Sequence, residues 1–161
     1  MIFYAHRGNV DGVDLEMENK PVYILEAIDR GFSVEIDVHF VDGIFYLGHD
    51  EPTYEVNEHF LENPNVICHA KSSCAFMEML KNQKIHSFWN DKDLYALTSK
   101  NFIWTLDDNT PRFSDFHKML NPIISRRIFC KPDFDSNLAQ WHYDTYYGIC
   151  SDYVGNIKLD V

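Results

Sequence analysis

The sequence lacks the features that define several large classes of protein. Its four cysteines form no CxxC pair, and no stretch approaches the roughly 18 to 20 consecutive apolar residues of a membrane span. The opening MIFYAHRG contains neither a charged leader nor a long apolar run. These absences predict a cytoplasmic protein with reduced core cysteines, without a signal peptide and without stable membrane insertion.

Motifs of the common enzyme classes are missing as well. The sequence contains no GxxxxGK[ST], HExxH, GxSxG or dinucleotide glycine fingerprint, which removes direct support for nucleotide kinases, zinc proteases, serine hydrolases and NAD enzymes. A net charge of −11 argues against the broad cationic surface of a nucleic-acid-binding protein. We therefore expect a small-molecule substrate and no nucleic acid.

What the chain does contain is enough apolar material for one core. It has 161 residues, of which 45% are hydrophobic and 15% aromatic. A chain of this length buries a sizeable core without disulfides. We expect a single globular domain spanning residues 1–161.

Short apolar runs alternate with helical segments along the chain. Apolar residues at helical spacing predict helices at 21–31, 72–83 and 136–147. Period-two patterns and apolar runs predict strands at 2–7, 33–40, 65–71, 86–90, 102–106, 127–132 and 148–154, with an Asp-Gly hairpin over 41–50. Strands followed repeatedly by helices predict a parallel α/β sheet with right-handed crossovers.

Polar residues gather toward the ends of the predicted strands. In SVEIDVHF, Glu35 and Asp37 share one face because side chains alternate along a strand, and the same alternation aligns His69 with Lys71. Two carboxylates on one face lie close enough to bind one cation. Taken alone, such a pair is usually a solvated edge, and a lone strand-end histidine is usually structural. The order of the whole set favours a functional site.

That ordered set resembles one known family. The motifs are AHRG (5–8), EN (18–19), AIDRG (27–31), VEIDV (34–38), DG (42–43) and GHD (48–50), with thinner matches at HAK (69–71), WTLDD (104–108) and GICSDYV (148–154). They resemble the glycerophosphodiester phosphodiesterases, which share a barrel superfamily with phosphatidylinositol phospholipases C and spider-venom phospholipases D. The resemblance implies a TIM-type (β/α) barrel, shortened to about seven to eight parallel strands with a hairpin after strand two.

The resemblance also implies roles for individual residues. His6 and His49 would form the acid–base pair, with His6 as base and His49 as acid. Phosphate would be held by Arg7 and Lys71, and the metal by Glu35, Asp37 and His69. Phosphodiester hydrolysis needs a proton acceptor, a proton donor and cations on the phosphate oxygens, so the chemistry agrees with these roles. Glu18, Asn19 and Trp104 would lie beside the site or line its pocket.

Two features depart from the family pattern. His69 replaces the usual third glutamate ligand, and a nitrogen ligand makes Mn²⁺ or Zn²⁺ more credible than Mg²⁺ or Ca²⁺; alternatively His69 binds no metal. The chain is also shorter than the roughly 250 residues of a full barrel. The expected substrate is therefore a glycerol- or sugar-linked phosphodiester other than the one in the family name.

Several alternatives stay open at the level of sequence. The activity is hydrolysis through one divalent metal, phospholipase D-like transfer that releases a cyclic phosphate, or binding of a phosphorylated ligand without cleavage. Asp107 and Asp108 would complete the metal site or form a solvated turn, Lys131 would be a second phosphate contact, and Trp104 would be pocket or core.

Overall fold

The computed structural model describes residues 1–106, 126–130 and 146–159. Its ten strands are β1 (Ile2–His6), β2 (Ser33–Val41), β3 (Ile44–Leu47), β4 (Tyr54–Val56), β5 (Val66–Ala70), β6 (Ser87–Trp89), β7 (Tyr95–Leu97), β8 (Ile103–Thr105), β9 (Arg127–Cys130) and β10 (Gly148–Ser151). The helices in these ranges are α1 (Pro21–Asp29), α2 (Glu58–Leu61), α3 (Ser73–Met79) and α4 (Val154–Leu159).

All ten strands belong to one mixed sheet. Parallel neighbours follow the order β6-β5-β2-β1-β10-β9-β8. β3 pairs antiparallel with the second half of β2, and β4 pairs antiparallel with β3. At the other end of the sheet, β7 pairs antiparallel with β8. The sheet curls into a half-barrel.

The predicted TIM-type barrel is wrong. Within the described ranges, β6 pairs only with β5 and β7 only with β8, so the ladder does not close into a ring. A barrel unit would place a helix between β6 and β8, because parallel strands need a long crossover. That segment instead forms the antiparallel strand β7, and the described helices are four short ones.

The local predictions were more accurate than the global one. The structure confirms strands near residues 2–7, 33–40, 65–71, 86–90, 102–106, 127–132 and 148–154 and helices near 21–31 and 72–83. Ser72 caps α3 by accepting from the backbone N–H of Ala75 at 3.1 Å. β4, α2, β7 and α4 were not predicted, and the helix expected at 136–147 falls almost entirely outside the described residues.

The two faces of the sheet carry separate apolar clusters. Val34, Ile36 and Val38 are fully buried on the face covered by the helices, where they belong to a cluster with Ile24 and Ala27 of α1. The opposite face carries a second cluster, whose larger members are Tyr4, Ile67, Phe88 and Trp104. Polar side chains on that second face are consequently surrounded by apolar and aromatic walls.

The cysteine prediction is correct at three of four positions. Cys68, Cys130 and Cys150 are buried free thiols, whereas Cys74 is free but exposed near the start of α3. Among the described helices, none combines the length and the apolar character that crossing a bilayer demands.

One buried histidine makes stability depend on pH. His86 Nε2 lies 2.8 Å from Thr98 Oγ1, and burial, with help from Lys100, lowers the pKa of His86 to about 4. Since the folded pKa lies below the unfolded value near 6.5, this contribution to stability is complete above pH 6.5 and is lost as the pH falls toward 4.

We expect His86→Gln to weaken the pH dependence of folding. Between pH 7.5 and 5.0, the wild type should lose roughly 1 to 2 kcal/mol more unfolding free energy than the variant, after allowance for partial solvent exposure. Urea unfolding at both pH values measures this difference, with His59→Gln as control because the His59 side chain is 91% exposed. Equal pH dependence in both variants would contradict the expectation.

Candidate functional site

The carboxyl ends of β1 and β5 lie beside the first half of β2, which continues past them into the hairpin with β3. The pairing register sets His6 opposite Glu35, and Asp37 opposite His69. Because these neighbours are parallel, the ends of β1 and β5 point the same way, as in other open α/β sheets. Four residues predicted from alternation and motif order are thus brought into one cluster.

The turn after β1 explains why glycine follows His6 and Arg7. Arg7 adopts a φ of 55° and Gly8 a φ of 94°, and the Arg7 N–H donates to the carbonyl of Glu35 at 2.8 Å. A Cβ on Gly8 would lie 2.7 Å from Cδ1 of Tyr23. Only glycine fits this left-handed position beside the ring. The tight turn that it permits directs the Arg7 side chain toward the site.

Asp37 is the centre of the polar network and is 1% exposed. Its Oδ2 lies 3.0 Å from Arg7 Nε and accepts from Asn19 Nδ2 at 3.0 Å. Its Oδ1 lies 3.2 Å from His69 Nδ1 and accepts from Lys71 Nζ at 3.3 Å. Burial opposes ionisation, but His69, Lys71 and Arg7 outweigh it and hold the pKa of Asp37 well below its usual range.

The Glu18–Asn19 pair holds the neighbouring groups in place. Asn19 has a φ of 61°, and its Oδ1 accepts from the Asp37 backbone N–H at 2.9 Å. Glu18 accepts from Arg7 Nη1 and from Asn9 Nδ2, each at 2.9 Å. The pair predicted to lie beside the site therefore orients both Asp37 and Arg7.

Glu35 is in a different electrostatic position, although it is only 2% exposed. No hydrogen-bond donor of the described chain reaches its Oε2; His6 Nε2 lies 3.9 Å away, and His69 Nδ1 lies 3.7 Å from Oε1. Burial and the adjacent Asp37 raise the pKa of Glu35. A buried carboxylate with one oxygen unsatisfied costs free energy, so the site is short of positive charge at this point.

His6 is held by a residue that sequence reasoning missed. Its Nδ1 lies 2.9 Å from Asp152 Oδ1, which also accepts from Asn9 Nδ2 at 2.8 Å. Burial alone would lower the pKa of His6, but Asp152 and Glu35 have the larger effect and raise it to about 9. The signal that could have found Asp152 is its position directly after β10, at the end of GICSDYV, where the same strand-end rule applies.

Glu35, Asp37 and His69 form a cluster suited to a metal ion. One ligand atom from each lies within 4.8 Å of the others. His69 Nε2 lies 3.4 Å from the Asn90 carbonyl oxygen, so with a cation bound the ring could carry its proton on Nε2 and leave Nδ1, which otherwise contacts Asp37, to the metal. Metal-bound histidines characteristically donate their second N–H to such a carbonyl. Together with the unsatisfied Glu35 oxygen, the donor set fits a divalent cation.

A cavity of about 290 Å³ opens beside this cluster. Its lining combines the polar residues His6, Arg7, Glu35 and His69 with the aromatic residues Phe88 and Trp104. Phe88 stacks on His69 with ring centroids 4.8 Å apart, and on Trp104 at 4.5 Å. Trp104 is thus both part of the core and part of the pocket wall, and Phe88 is a wall residue that the sequence analysis did not single out.

His49 and Lys71, two of the predicted site residues, lie outside the lining of the cavity. The His49 side chain is 43% exposed and lies 2.7 Å from Asp50, and within the described ranges neither a polar contact nor the cavity wall joins it to His6. Lys71 contacts Asp37 and is not part of the cavity lining. His39, on the same strand as Glu35 and Asp37, is half-buried with Nε2 2.9 Å from the Gly48 carbonyl. Asp107, Asp108 and Lys131 lie outside the described residues.

Comparisons with family models, with curated proteins and with solved structures find no match to this chain. The family resemblance carried by the motifs therefore stays a hypothesis, and the site must be interpreted from its own geometry.

Proposed function

We propose that this protein is a metal-dependent phosphoric diester hydrolase. The observation that carries the proposal is the three-donor cluster of Glu35, Asp37 and His69, of which Glu35 and His69 line one cavity together with His6, while Asp37 lies buried behind them. A carboxylate–imidazole site next to a fixed histidine suits hydrolysis of a phosphate ester, because that reaction needs cationic charge on the phosphate and a positioned proton donor or acceptor.

Each residue of the cluster has a distinct part in this proposal. Glu35, Asp37 and His69 would hold the cation, which supplies positive charge to the phosphate oxygens and acidifies a bound water. His6 would donate a proton to the leaving oxygen, since a pKa raised to about 9 keeps its ring protonated near neutral pH. This supports the acid role for His6 rather than the base role implied by the resemblance. Arg7, oriented by Glu18, would lie beside the phosphate.

The donor set favours particular metals. Mg²⁺ and Ca²⁺ prefer oxygen ligands, whereas Mn²⁺ and Zn²⁺ accept an imidazole together with carboxylates. We therefore propose Mn²⁺ or Zn²⁺, bound by the Nδ1 atom of His69. The substrate would be a glycerol- or sugar-linked diester.

A second candidate function is binding of a phosphorylated ligand without cleavage. The observation that favours it is the position of His49, which is exposed beside Asp50. Among the described residues, the cavity then has His6 as its one histidine acid–base group apart from His69 of the cluster. Two-histidine catalysis would not operate with this arrangement. Phosphate ester binding with no turnover under any divalent metal would support this candidate.

The test is turnover of glycerophosphocholine, and of bis(p-nitrophenyl) phosphate as a diester that does not depend on the natural alcohol, with Mn²⁺, Zn²⁺, Mg²⁺ or Ca²⁺, and with EDTA. We expect turnover with Mn²⁺ or Zn²⁺ that EDTA abolishes, and phosphorus NMR of the product distinguishes hydrolysis from release of a cyclic phosphate. Absence of turnover with all four metals would reject the hydrolase.

Removing the Glu35 charge should weaken metal binding without unfolding the protein. We expect Glu35→Gln to lower Mn²⁺ affinity about 10- to 100-fold, the range seen when groups around a metal are changed. Calorimetric titration with Mn²⁺ measures this, and Glu55→Gln on the exposed part of β4 is the matched control. Equal Mn²⁺ affinity in both variants would remove Glu35 from the metal site.

A further inference from the structure

Both cations expected to hold the phosphate are already paired with carboxylates. Arg7 lies 2.9 Å from Glu18 and 3.0 Å from Asp37, and Lys71 lies 3.3 Å from Asp37. Lys71 is also outside the cavity lining. A phosphate entering the cavity would have to compete with buried carboxylates for either side chain, so a cation without a carboxylate partner at the cavity wall would bind it more strongly.

Lys92 is placed to be that cation. It lies in the loop between β6 and β7, it is exposed, and it lines the cavity together with Arg7. In the part of the chain that the structure describes, no carboxylate lies within 4.0 Å of its ammonium group, in contrast to Arg7 and Lys71. Its charge is therefore not committed to an ion pair, although Asp91 and Asp93 line the same cavity and reduce the local positive potential.

The loop that carries Lys92 is fixed to the proposed metal cluster. Asn90 Nδ2 donates to the carbonyl of Asp93 at 2.6 Å, and the Asp93 N–H donates back to Asn90 Oδ1 at 3.0 Å. The Asn90 carbonyl lies 3.4 Å from His69 Nε2. These contacts hold the loop beside the cavity, and the flexible four-carbon stem of Lys92 gives its ammonium several positions along the cavity wall.

We propose that Lys92 binds the phosphate group of the substrate and replaces Lys71 in that role. The inference rests on the proposed function and deepens it: the ligand is a phosphate ester held between the metal ion of the Glu35, Asp37 and His69 cluster and Lys92. Lys71 stabilises ionised Asp37 instead. Lys92 therefore sets substrate affinity and takes no part in proton transfer.

The experiment compares Lys92→Ala and Lys92→Arg with Lys71→Ala. Binding of inorganic phosphate to the Mn²⁺-loaded protein is measured by calorimetry, and KM and kcat are measured with glycerophosphocholine. We expect Lys92→Ala to raise the phosphate Kd and the KM about tenfold, the size of one charge-assisted hydrogen bond, with kcat within threefold of wild type. Lys92→Arg should recover most of the affinity.

Controls separate this inference from the proposed function. Lys81→Ala, on the exposed turn after α3, should leave the phosphate Kd unchanged, and Mn²⁺ affinity should be the same in Lys92→Ala and wild type. Turnover with an unchanged phosphate Kd and KM in Lys92→Ala would overturn the Lys92 assignment and leave the hydrolase standing. If Lys92→Ala binds phosphate tenfold more weakly than the wild type but the wild type shows no turnover, the Lys92 assignment is supported and hydrolysis is rejected. Failure of the wild type to bind phosphate would also overturn the assignment.

Discussion

Asp37→Ala should destabilise the protein by about 3 to 5 kcal/mol, the cost of removing one partner from a buried ion pair. Asp37 is 1% exposed and compensates the positive charges of Arg7 and Lys71 while accepting a hydrogen bond from Asn19. Its loss leaves two largely buried cations without their common carboxylate. Part of the Asn19 side chain also loses its partner, at a left-handed position that costs free energy to maintain.

Urea unfolding of Asp37→Ala, compared with Asp50→Ala, measures this effect. Asp50 also pairs with a basic side chain, His49, but the Asp50 side chain is 87% exposed, so its replacement should change the unfolding free energy by less than about 0.5 kcal/mol. Equal losses in the two variants would show that Asp37 is not the centre of the network.

The sequence predicted local elements well because local rules determine them. Alternation in SVEIDVHF requires Val34 and Ile36 on one face and Glu35 on the other, and the structure shows that arrangement. Within α1 the apolar pattern does not by itself identify the buried face, since Leu25 is exposed whereas Ala27 is buried. Closure of the sheet depends on whether residues 90–102 form a helix or a strand. No local pattern in that segment favoured the strand β7 over a helix.

The same division applies to the candidate site. His6 and Arg7 were found from the motif that follows β1. Glu35, Asp37 and His69 were found from side-chain alternation along β2 and β5, whose parallel pairing brings them together. Asp152 was missed because its contact with His6 spans 146 residues and depends on β10 pairing with β1. The His49 side chain belongs to the segment after the β2–β3 hairpin, where strand alternation no longer fixes its direction. Motif order alone could not reveal that it is exposed.

Asp152→Asn should lower kcat on the order of 10²- to 10³-fold, within the range that a positioned acid or base contributes. This expectation rests on the proposed hydrolase. Asp152 is a positioning residue: its carboxylate contacts His6 Nδ1 at 2.9 Å and thereby fixes the direction of Nε2, which faces Glu35 and the cavity. An amide at residue 152 keeps the shape but removes the charge that keeps the imidazole protonated. Asp50→Asn, the same chemical change beside His49, should leave kcat within about twofold; a comparable loss there would restore His49 as an acid–base partner.

The charge on His6 provides a second readout that does not require turnover. Because Asp152 and Glu35 outweigh burial, the pKa of His6 is raised to about 9 in the folded protein from the ordinary value near 6.5. Its contribution to stability, on the order of 3 kcal/mol, is complete below pH 6.5 and is lost as the pH rises through 9.

In Asp152→Asn, burial still lowers the pKa of His6, but the carboxylate that raised it most is gone. The pKa of His6 should therefore fall, and the variant should lose less unfolding free energy than the wild type between pH 6.5 and 9. NMR titration of the His6 ring and urea unfolding at both pH values measure the two effects. An unchanged His6 pKa in Asp152→Asn would show that Asp152 does not hold the proton on His6, whatever the variant does to turnover.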